Sequence, residues 1–176
     1  LIARKSLPDT IIEGGTGTNS SELVQPAFLP ERLESGTVNV PAIAGVTAGL
    51  EFVKSQGINS LYYGELRLIQ RLYKALENNQ DIILYTPYPE EGMYVPLLSF
   101  NVKNTSSYEV ASFLGDNEIA VRGGLHCAPF AHRQTGTSEV GTVRVAVAYF
   151  NNSSEVDIFS KILKRNLINF RKKTVE

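Results

Sequence analysis

Apolar side chains recur every three or four positions along three long segments of the chain, and this spacing predicts amphipathic helices. The first helix is expected over residues 40–56. Asn39 or Val40 can cap it, Pro41 suits its first turn, and Gly57 is expected to stop it. Its apolar stripe contains Ile43, Val46, Leu50 and Val53, and the small residues beside the stripe favour close packing against another element.

The second and the last helix carry longer apolar stripes. The second is expected over residues 60–78, and the last begins where Ser153 or Ser154 can cap it. Leu66, Ile69, Tyr73 and Leu76 line the second helix, and Val156, Phe159, Leu163, Leu167 and Phe170 line the last one. Arg171, Lys172 and Lys173 follow at its C-terminal end, where positive charge is favourable.

Between these two helices the apolar period shortens to two, which predicts strands. Strands are expected at residues 82–86, 95–102, 118–121 and 140–150, with a short helix from Ser106 or Ser107 to about Leu114. The first two strands form a hairpin through the turn at residues 87–92. The order of elements indicates an α+β fold, in which helices gather on one face of an antiparallel sheet.

The first 38 residues have no such period, because glycine and proline interrupt every short apolar piece. Loops of this length in a compact protein are usually functional, so we predict a binding surface there. The change of pattern that starts at residue 57 is the one candidate domain boundary, and it divides the chain into residues 1–57 and 58–176. The chain opens inside what reads as structure, and we therefore expect a piece of a longer protein.

Composition narrows the classes of function. The 176 residues include 17 basic and 18 acidic side chains, which gives no electrostatic basis for binding nucleic acid or an anionic membrane. No apolar run approaches the roughly 20 residues that span a bilayer, so a cytoplasmic protein is expected. The single cysteine, Cys127, excludes an internal disulfide and any multi-cysteine zinc module.

Two arginines follow the same pattern on neighbouring predicted strands. Alternation places Arg144 on one face with Ala146 and Ala148, and Arg122 shares a face with Ala120. Small neighbours suggest that a molecule packs beside each guanidinium, and the planar fork suits a carboxylate. A surface arginine, or one paired with an internal carboxylate, remains the alternative.

The loop after Arg122 carries the thiol in the stretch Gly123-Gly124-Leu125-His126-Cys127-Ala128-Pro129. Two glycines permit unusual backbone angles, and the loop can bring Cys127 near arginines that would stabilise its thiolate. A buried, inert cysteine is the alternative. His126 and His132 flank the thiol, which allows a cysteine–histidine nucleophile or a three-ligand metal site in principle. Both signals are weak, since adjacent residues usually point apart and no fourth ligand is in view, and no metal site is predicted.

Two glycine-containing segments are candidate anion sites. Residues 14–18, Gly-Gly-Thr-Gly-Thr, resemble a phosphate nest but lack the Gly-Lys-Ser/Thr ending of a P-loop, which favours a plain turn. Gly36-Thr37-Val38-Asn39 places a hydroxyl group and free amides at the start of the first helix, where an anion is favoured. An ordinary helix cap is the alternative reading of this second segment.

Four stretches taken together resemble the cysteine desulfurases of the class V aminotransferase group, and the arginine-to-cysteine stretch is most similar to SufS-type desulfurases and selenocysteine lyases. The stretches are residues 14–17, 31–39, 122–129 and 141–151. The resemblance implies a fold-type I enzyme dependent on pyridoxal phosphate, of which this chain would hold the last strip of the large domain and the small C-terminal domain. It also implies that the lysine that binds the cofactor covalently is not in this chain.

The resemblance further implies a role for each candidate residue. Thr37 would bind the cofactor phosphate, in such homodimers that of the neighbouring subunit, and Arg144 would bind the substrate carboxylate with Arg122 nearby. Cys127 would take sulfur from L-cysteine as a persulfide, His126 would assist proton transfer, and a sulfur-acceptor protein would be a further partner. The related branch often has two histidines before the cysteine, and here Leu125 occupies the first place.

Two other interpretations remain open. A selenocysteine lyase or another class V aminotransferase would keep the fold and the cofactor but change the substrate. A stand-alone binding domain or persulfide carrier would need no cofactor. The sequence leaves the roles of His132 and of the loop at residues 14–18 unassigned.

Overall fold

The computed structural model describes residues 10, 12–17, 19–93 and 95–172 of the chain. The chain forms two compact units, Leu1–Ser55 and Gln56–Glu176. The described helices are a short 3-10 turn at Glu31–Leu33 and α1 (Val40–Gln56), α2 (Ile58–Leu76), α3 (Ser107–Asp116), α4 (Pro129–Thr135) and α5 (Ser153–Lys172). The described strands are β1 (Ile82–Leu84), β2 (Leu97–Val102), β3 (Arg122–Gly124) and β4 (Thr142–Ala146).

Before α1, the described residues of the first unit are irregular apart from the short 3-10 turn, as the pattern predicts. Asn39 caps the helix, since its Oδ1 accepts a hydrogen bond from the amide of Ala42 at 3.0 Å. The close packing expected for this helix is not seen among the described residues, because none of the side chains of α1 is buried. Ile43 and Leu50 are 55% and 66% exposed. The assignment of this unit to a larger cofactor domain stays a prediction.

The second unit is an α+β structure built on a four-stranded antiparallel sheet, which confirms the predicted fold class. The strand order is β1-β2-β4-β3, and β1 and β2 form the predicted hairpin. One face of the sheet packs against α2, α3 and α5 around a continuous apolar core. That core contains Leu98, Phe100 and Val143, all fully buried, together with the predicted stripe of α5. Three of the four residues predicted for the stripe of α2 are buried, but Leu72 takes the place of Tyr73, which is only partly buried.

The third strand begins later than the alternation predicts. Residues 118–121 are not a strand, and β3 is the short segment Arg122–Gly124. The amide of Ile119 donates to the carbonyl of Leu114 at 2.9 Å, so it completes the end of α3 instead of pairing with β4. A sequence period of two cannot show that a backbone amide is already used by the preceding helix.

The fourth strand is likewise shorter than the predicted 140–150. It starts after Gly141, whose φ of +62° turns the chain, and it ends before the turn in which Asn151 donates to the carbonyl of Ala148 at 3.0 Å. Tyr149 therefore lies outside the strand and is 44% exposed, and its expected place on the valine face is wrong.

Helix α4 was not predicted, and it borders the opposite face of the sheet from the other helices of this unit. Pro129 occupies its first turn, and Gly136 ends it with a left-handed φ of +69°. These two residues were a readable signal for a helix, but the seven residues between the caps are too few to show a period. The helix buries His132, which is 5% exposed.

Candidate functional site

The loop that carries the thiol is held by glycines packed backbone against backbone. Gly124 has a φ of +105°, and a Cβ on Gly141 would lie 2.7 Å from the Cα, carbonyl carbon and oxygen of Gly124. A Cβ on Gly123 would lie 2.7 Å from the carbonyl oxygen of Ser107. Any larger residue would push β3 away from its neighbours, so the glycines fix where the loop leaves the sheet.

Two consecutive residues of the loop adopt the left-handed conformation. His126 and Cys127 have φ values of +53° and +59°, which are uncommon for residues that have a Cβ. Cys127 is exposed, and so the alternative of a buried, inert cysteine is wrong. Nη2 of Arg122 lies 3.9 Å from its Sγ, so a positive charge stands beside the sulfur.

His126 is oriented by the first residue of β4. Its Nε2 lies 2.9 Å from the carbonyl oxygen of Thr142 and 3.2 Å from the hydroxyl oxygen of the same residue. A carbonyl oxygen accepts hydrogen bonds and cannot donate, so Nε2 carries the proton. Nδ1 is buried and has no hydrogen-bond partner among the described residues.

The electrostatic surroundings keep the His126 imidazole neutral. Burial lowers its pKa below the ordinary value of 6.5, and the positive charge of Arg144 lowers it further, with smaller contributions from His132 and Arg122. The hydrogen bond to Thr142 acts in the opposite direction. In the neutral ring the unpartnered Nδ1 holds the lone pair, which makes it a proton acceptor.

A cavity of about 290 Å³ opens on the face of the sheet that α4 borders. Arg144, Ser99, Thr142, Tyr85, His126 and His132 are among the residues that line it, and neither an acidic residue nor a lysine lines it among the described residues. The sheet register places Ser99 and Arg122 directly opposite Arg144 on the neighbouring strands. The cavity is therefore a concave, cationic site beside the loop that carries Cys127.

Arg144 is the charged group of this cavity. Its side chain is half-buried, and no carboxylate lies within ion-pair distance of it among the described residues. The alternative of an arginine paired with an internal carboxylate is therefore not found in that part of the chain. A planar cation in a concave site, with no ion-pair partner in the described part of the chain, suits a carboxylate ligand.

Thr37 belongs to the first unit, whereas the other four predicted site residues belong to the second. It is exposed and follows Gly36, which has a φ of +78° and open space on its Cβ side. The 17-residue helix α1 begins three residues later, so the hydroxyl group lies near the positive end of a helix dipole. These features fit a phosphate group. Thr18 of the glycine-rich loop lies outside the described residues.

His132 is the residue of the cavity to which the sequence assigned no role. Its burial depends on α4, which places it between the sheet and the cysteine loop, and its ring centroid lies 5.8 Å from that of His126. Recognising α4 from Pro129 and Gly136 would have placed His132 in a helix one turn from the loop.

Two further observations limit the class of site. Within the described part of the chain, no cluster of three or more histidine, cysteine or acidic side chains is arranged to hold a metal ion. None of the helices described there is both long and apolar enough to cross a membrane.

Comparison with known proteins identifies the family. The family model described as Aminotransferase class-V matches residues 1–159, and the chain belongs to this family. A cysteine desulfurase of Escherichia coli O157:H7 is 35% identical over 128 residues, which cover 73% of this chain and 30% of that protein. A probable cysteine desulfurase of Synechocystis is 28% identical over 139 residues, covering 79% and 33%.

Solved structures agree with these relatives. The cysteine desulfurase of Thermococcus onnurineus superimposes with a TM-score of 0.73 at 29% identity, over 84% of this chain and 35% of that one. The Escherichia coli desulfurase CsdA, in an S-sulfonic acid form, gives a TM-score of 0.72 at 26% identity over 82% and 34%. The chain thus spans about a third of the length of the relatives that it matches.

Proposed function

We propose that this chain is the C-terminal part of a cysteine desulfurase dependent on pyridoxal phosphate, which converts L-cysteine to L-alanine and leaves the sulfur on Cys127 as a persulfide. The observation that carries the proposal is the pairing of an exposed Cys127 beside Arg122 with a cavity in which Arg144 has no carboxylate partner among the described residues. The relatives named as cysteine desulfurases support the same reaction for the whole protein.

Each of three charged or titratable residues at the site has a role that follows from its chemistry. Arg144 binds the α-carboxylate of the amino acid through its planar fork, and so orients the substrate sulfur toward the loop. Arg122 lies beside Cys127, the nucleophile that takes the substrate sulfur, with Nη2 at 3.9 Å from Sγ. His126, held neutral and protonated at Nε2, has its lone pair on Nδ1 and would assist proton transfer there.

The residues present fit two separate tasks. Thr37 and the start of α1 would hold a cofactor phosphate, that of the neighbouring subunit as the resemblance implies, and the cavity beside Arg144 would receive the amino acid. When bound, pyridoxal phosphate supplies an electron sink for the bond that breaks in the substrate. None of the described residues that line the cavity is a lysine, so covalent attachment would depend on a lysine from outside this set.

The exposure of Cys127 also bears on partners. A persulfide on an exposed loop is accessible to a thiol of a second protein, which supports a sulfur-acceptor protein as a partner. The homodimer implied by the resemblance and the cytoplasmic location stay predictions.

The test is an assay of the full-length protein loaded with pyridoxal phosphate and supplied with L-cysteine and a reductant. We expect alanine and sulfide in equal amounts, and no turnover by the isolated 176-residue chain. If the enzyme releases alanine from selenocysteine but not from cysteine, a selenocysteine lyase is favoured. If it forms a keto acid from its substrate, an aminotransferase is favoured. Uptake of a persulfide by the isolated chain with no turnover by the full-length protein would indicate a carrier.

A further inference from the structure

His132 takes part in a chain of hydrogen bonds that runs away from the cavity into α4. Its Nδ1 lies 2.7 Å from the hydroxyl oxygen of Thr137, and that oxygen lies 2.8 Å from the hydroxyl oxygen of Thr135. The hydroxyl group of Thr135 donates to the carbonyl oxygen of Ala131 at 3.0 Å. The chain therefore ends on an atom that can only accept.

This end point sets the direction of every bond before it. A hydroxyl group has one proton, and Thr135 uses its proton on the carbonyl of Ala131, so it accepts a hydrogen bond from Thr137. Thr137 has then used its own proton, and it accepts from Nδ1 of His132. Nδ1 of His132 thus carries a proton, and in the neutral ring the lone pair lies on Nε2.

Nε2 of His132 is the ring nitrogen that is left to contact a ligand in the cavity. It has no hydrogen-bond partner among the described residues, and unlike Nδ1 of His126 it is not closed off from solvent. The two imidazoles are thus opposite tautomers, since His126 donates from Nε2 and His132 donates from Nδ1.

We propose that Nε2 of His132 is the hydrogen-bond acceptor of this cavity, and that it binds the S–H donor of an amino acid whose carboxylate binds Arg144. The cavity then recognises two groups of the same small molecule: Arg144 offers donors to the carboxylate, and His132 offers a lone pair to the thiol. The identity of that ligand as cysteine rests on the proposed function, whereas the tautomer of His132 does not.

The tautomer is measured on the isotopically labelled 176-residue chain by long-range proton–nitrogen NMR, which distinguishes a protonated from an unprotonated ring nitrogen. We expect the proton of the uncharged His132 ring to lie on Nδ1. In Thr135→Val the hydroxyl of Thr137 loses its acceptor and turns to the ring, so the proton of His132 moves to Nε2. Thr135→Ser keeps the hydroxyl and the native tautomer.

Thr47→Val is the matched control, because Thr47 makes the same hydroxyl-to-carbonyl bond with Ile43 at 3.0 Å in the exposed helix α1. It should leave the His132 signals unchanged. A wild-type His132 whose uncharged ring is protonated at Nε2 would overturn the proposal.

The ligand contact is measured in the full-length protein with pyridoxal phosphate by comparing two substitutions of His132. In His132→Asn the amide nitrogen takes the place of Nδ1 and keeps the bond to Thr137, but the acceptor in the cavity is lost. His132→Gln places an amide oxygen near the position of Nε2. We expect His132→Asn to raise the KM for cysteine roughly fivefold, with an unchanged melting temperature, and His132→Gln to restore part of the loss.

An unchanged KM in His132→Asn would show that His132 does not contact the substrate and only supports the fold. No sulfide release by the wild-type enzyme would contradict the proposed function alone, since the tautomer is measured without substrate. The two failures are therefore distinguishable.

Discussion

The two faces of the sheet are made by alternate residues of the same strands, yet they are buried in different ways. On the helix face, Leu98, Phe100 and Val143 are fully buried among carbon atoms. On the cavity face, Asn101 and Thr142 are 5% and 3% exposed, although both are polar.

Burial on the helix face needs only shape and volume, whereas burial on the cavity face needs hydrogen-bond partners. Asn101 meets this need in part: its Nδ2 donates to the carbonyl of Gly141 at 2.9 Å, beside the turn that leads into β4, while its buried Oδ1 has no partner among the described residues. The comparison teaches that stability rests mainly on one face and the positions of the functional groups on the other.

The largest effect is expected on the helix face. Phe100→Ala removes a fully buried ring that packs edge-on against Phe159 at 6.2 Å, and it should lower the free energy of unfolding by about 3–5 kcal/mol. Ser99→Ala, its neighbour on the cavity face, should change stability by less than about 1 kcal/mol. Urea denaturation of both variants measures the difference. Equal losses would show that the two faces do not differ as described.

The next effect comes from the backbone contact that holds the cysteine loop. Gly141→Ala places a methyl group against Gly124 at a positive φ, and we expect a loss of about 2–3 kcal/mol and a shift in the NMR signals of His126 and Cys127. Gly64→Ala in the interior of α2 meets nothing within 4 Å and should be neutral or stabilising by up to about 1 kcal/mol. A neutral Gly141→Ala would show that the loop is not held in this way.

An effect of similar size, on activity instead of stability, is expected when Arg144 in the cavity is replaced. Arg144→Lys in the full-length enzyme loses the two parallel hydrogen bonds to a carboxylate, which should cost about 2 kcal/mol in kcat/KM, mostly through KM. Arg67→Lys on the exposed face of α2 is the control and should behave as wild type. Unchanged kinetics in Arg144→Lys would place the substrate carboxylate elsewhere.

The smallest effect concerns the pH dependence of stability. The pKa of His126 is lowered in the folded chain, so below its ordinary value of 6.5 the unfolded chain binds a proton that the folded chain does not bind. Stability should therefore be full above that pH and fall as the pH drops toward the lowered pKa. Denaturation midpoints across this range should depend less on pH in His126→Gln. If the denaturation midpoints of both proteins changed equally with pH, the lowered pKa assigned to His126 would be contradicted.

The helix face could be predicted from the sequence better than the cavity face, and the reason is physical. The stripes of α2 and α5 and the valines of β4 repeat with a regular period, so the sequence alone was enough to assign them to a core. Arg144 and Cys127 were found through their chemical types and neighbours.

The parts that could not be predicted depend on contacts between distant residues. The late start of β3 follows from an amide used by α3, and the role of His132 follows from a short helix with no period of its own. The exposure of α1 could not be predicted for the same reason. An apolar stripe shows that packing against another surface is favourable, but it does not show whether this chain provides that surface.

The central claim is that Cys127 receives the substrate sulfur, and replacing it in the full-length enzyme tests this most directly. Cys127 is exposed, so Cys127→Ala should keep the fold, cofactor binding and the spectral change on adding cysteine. It should lose most sulfide release, whereas wild-type enzyme treated with cysteine should gain the mass of one sulfur atom on the peptide that contains Cys127. Residual activity of Cys127→Ala on selenocysteine would favour the lyase alternative. Sulfide release at the wild-type rate by Cys127→Ala would contradict the account.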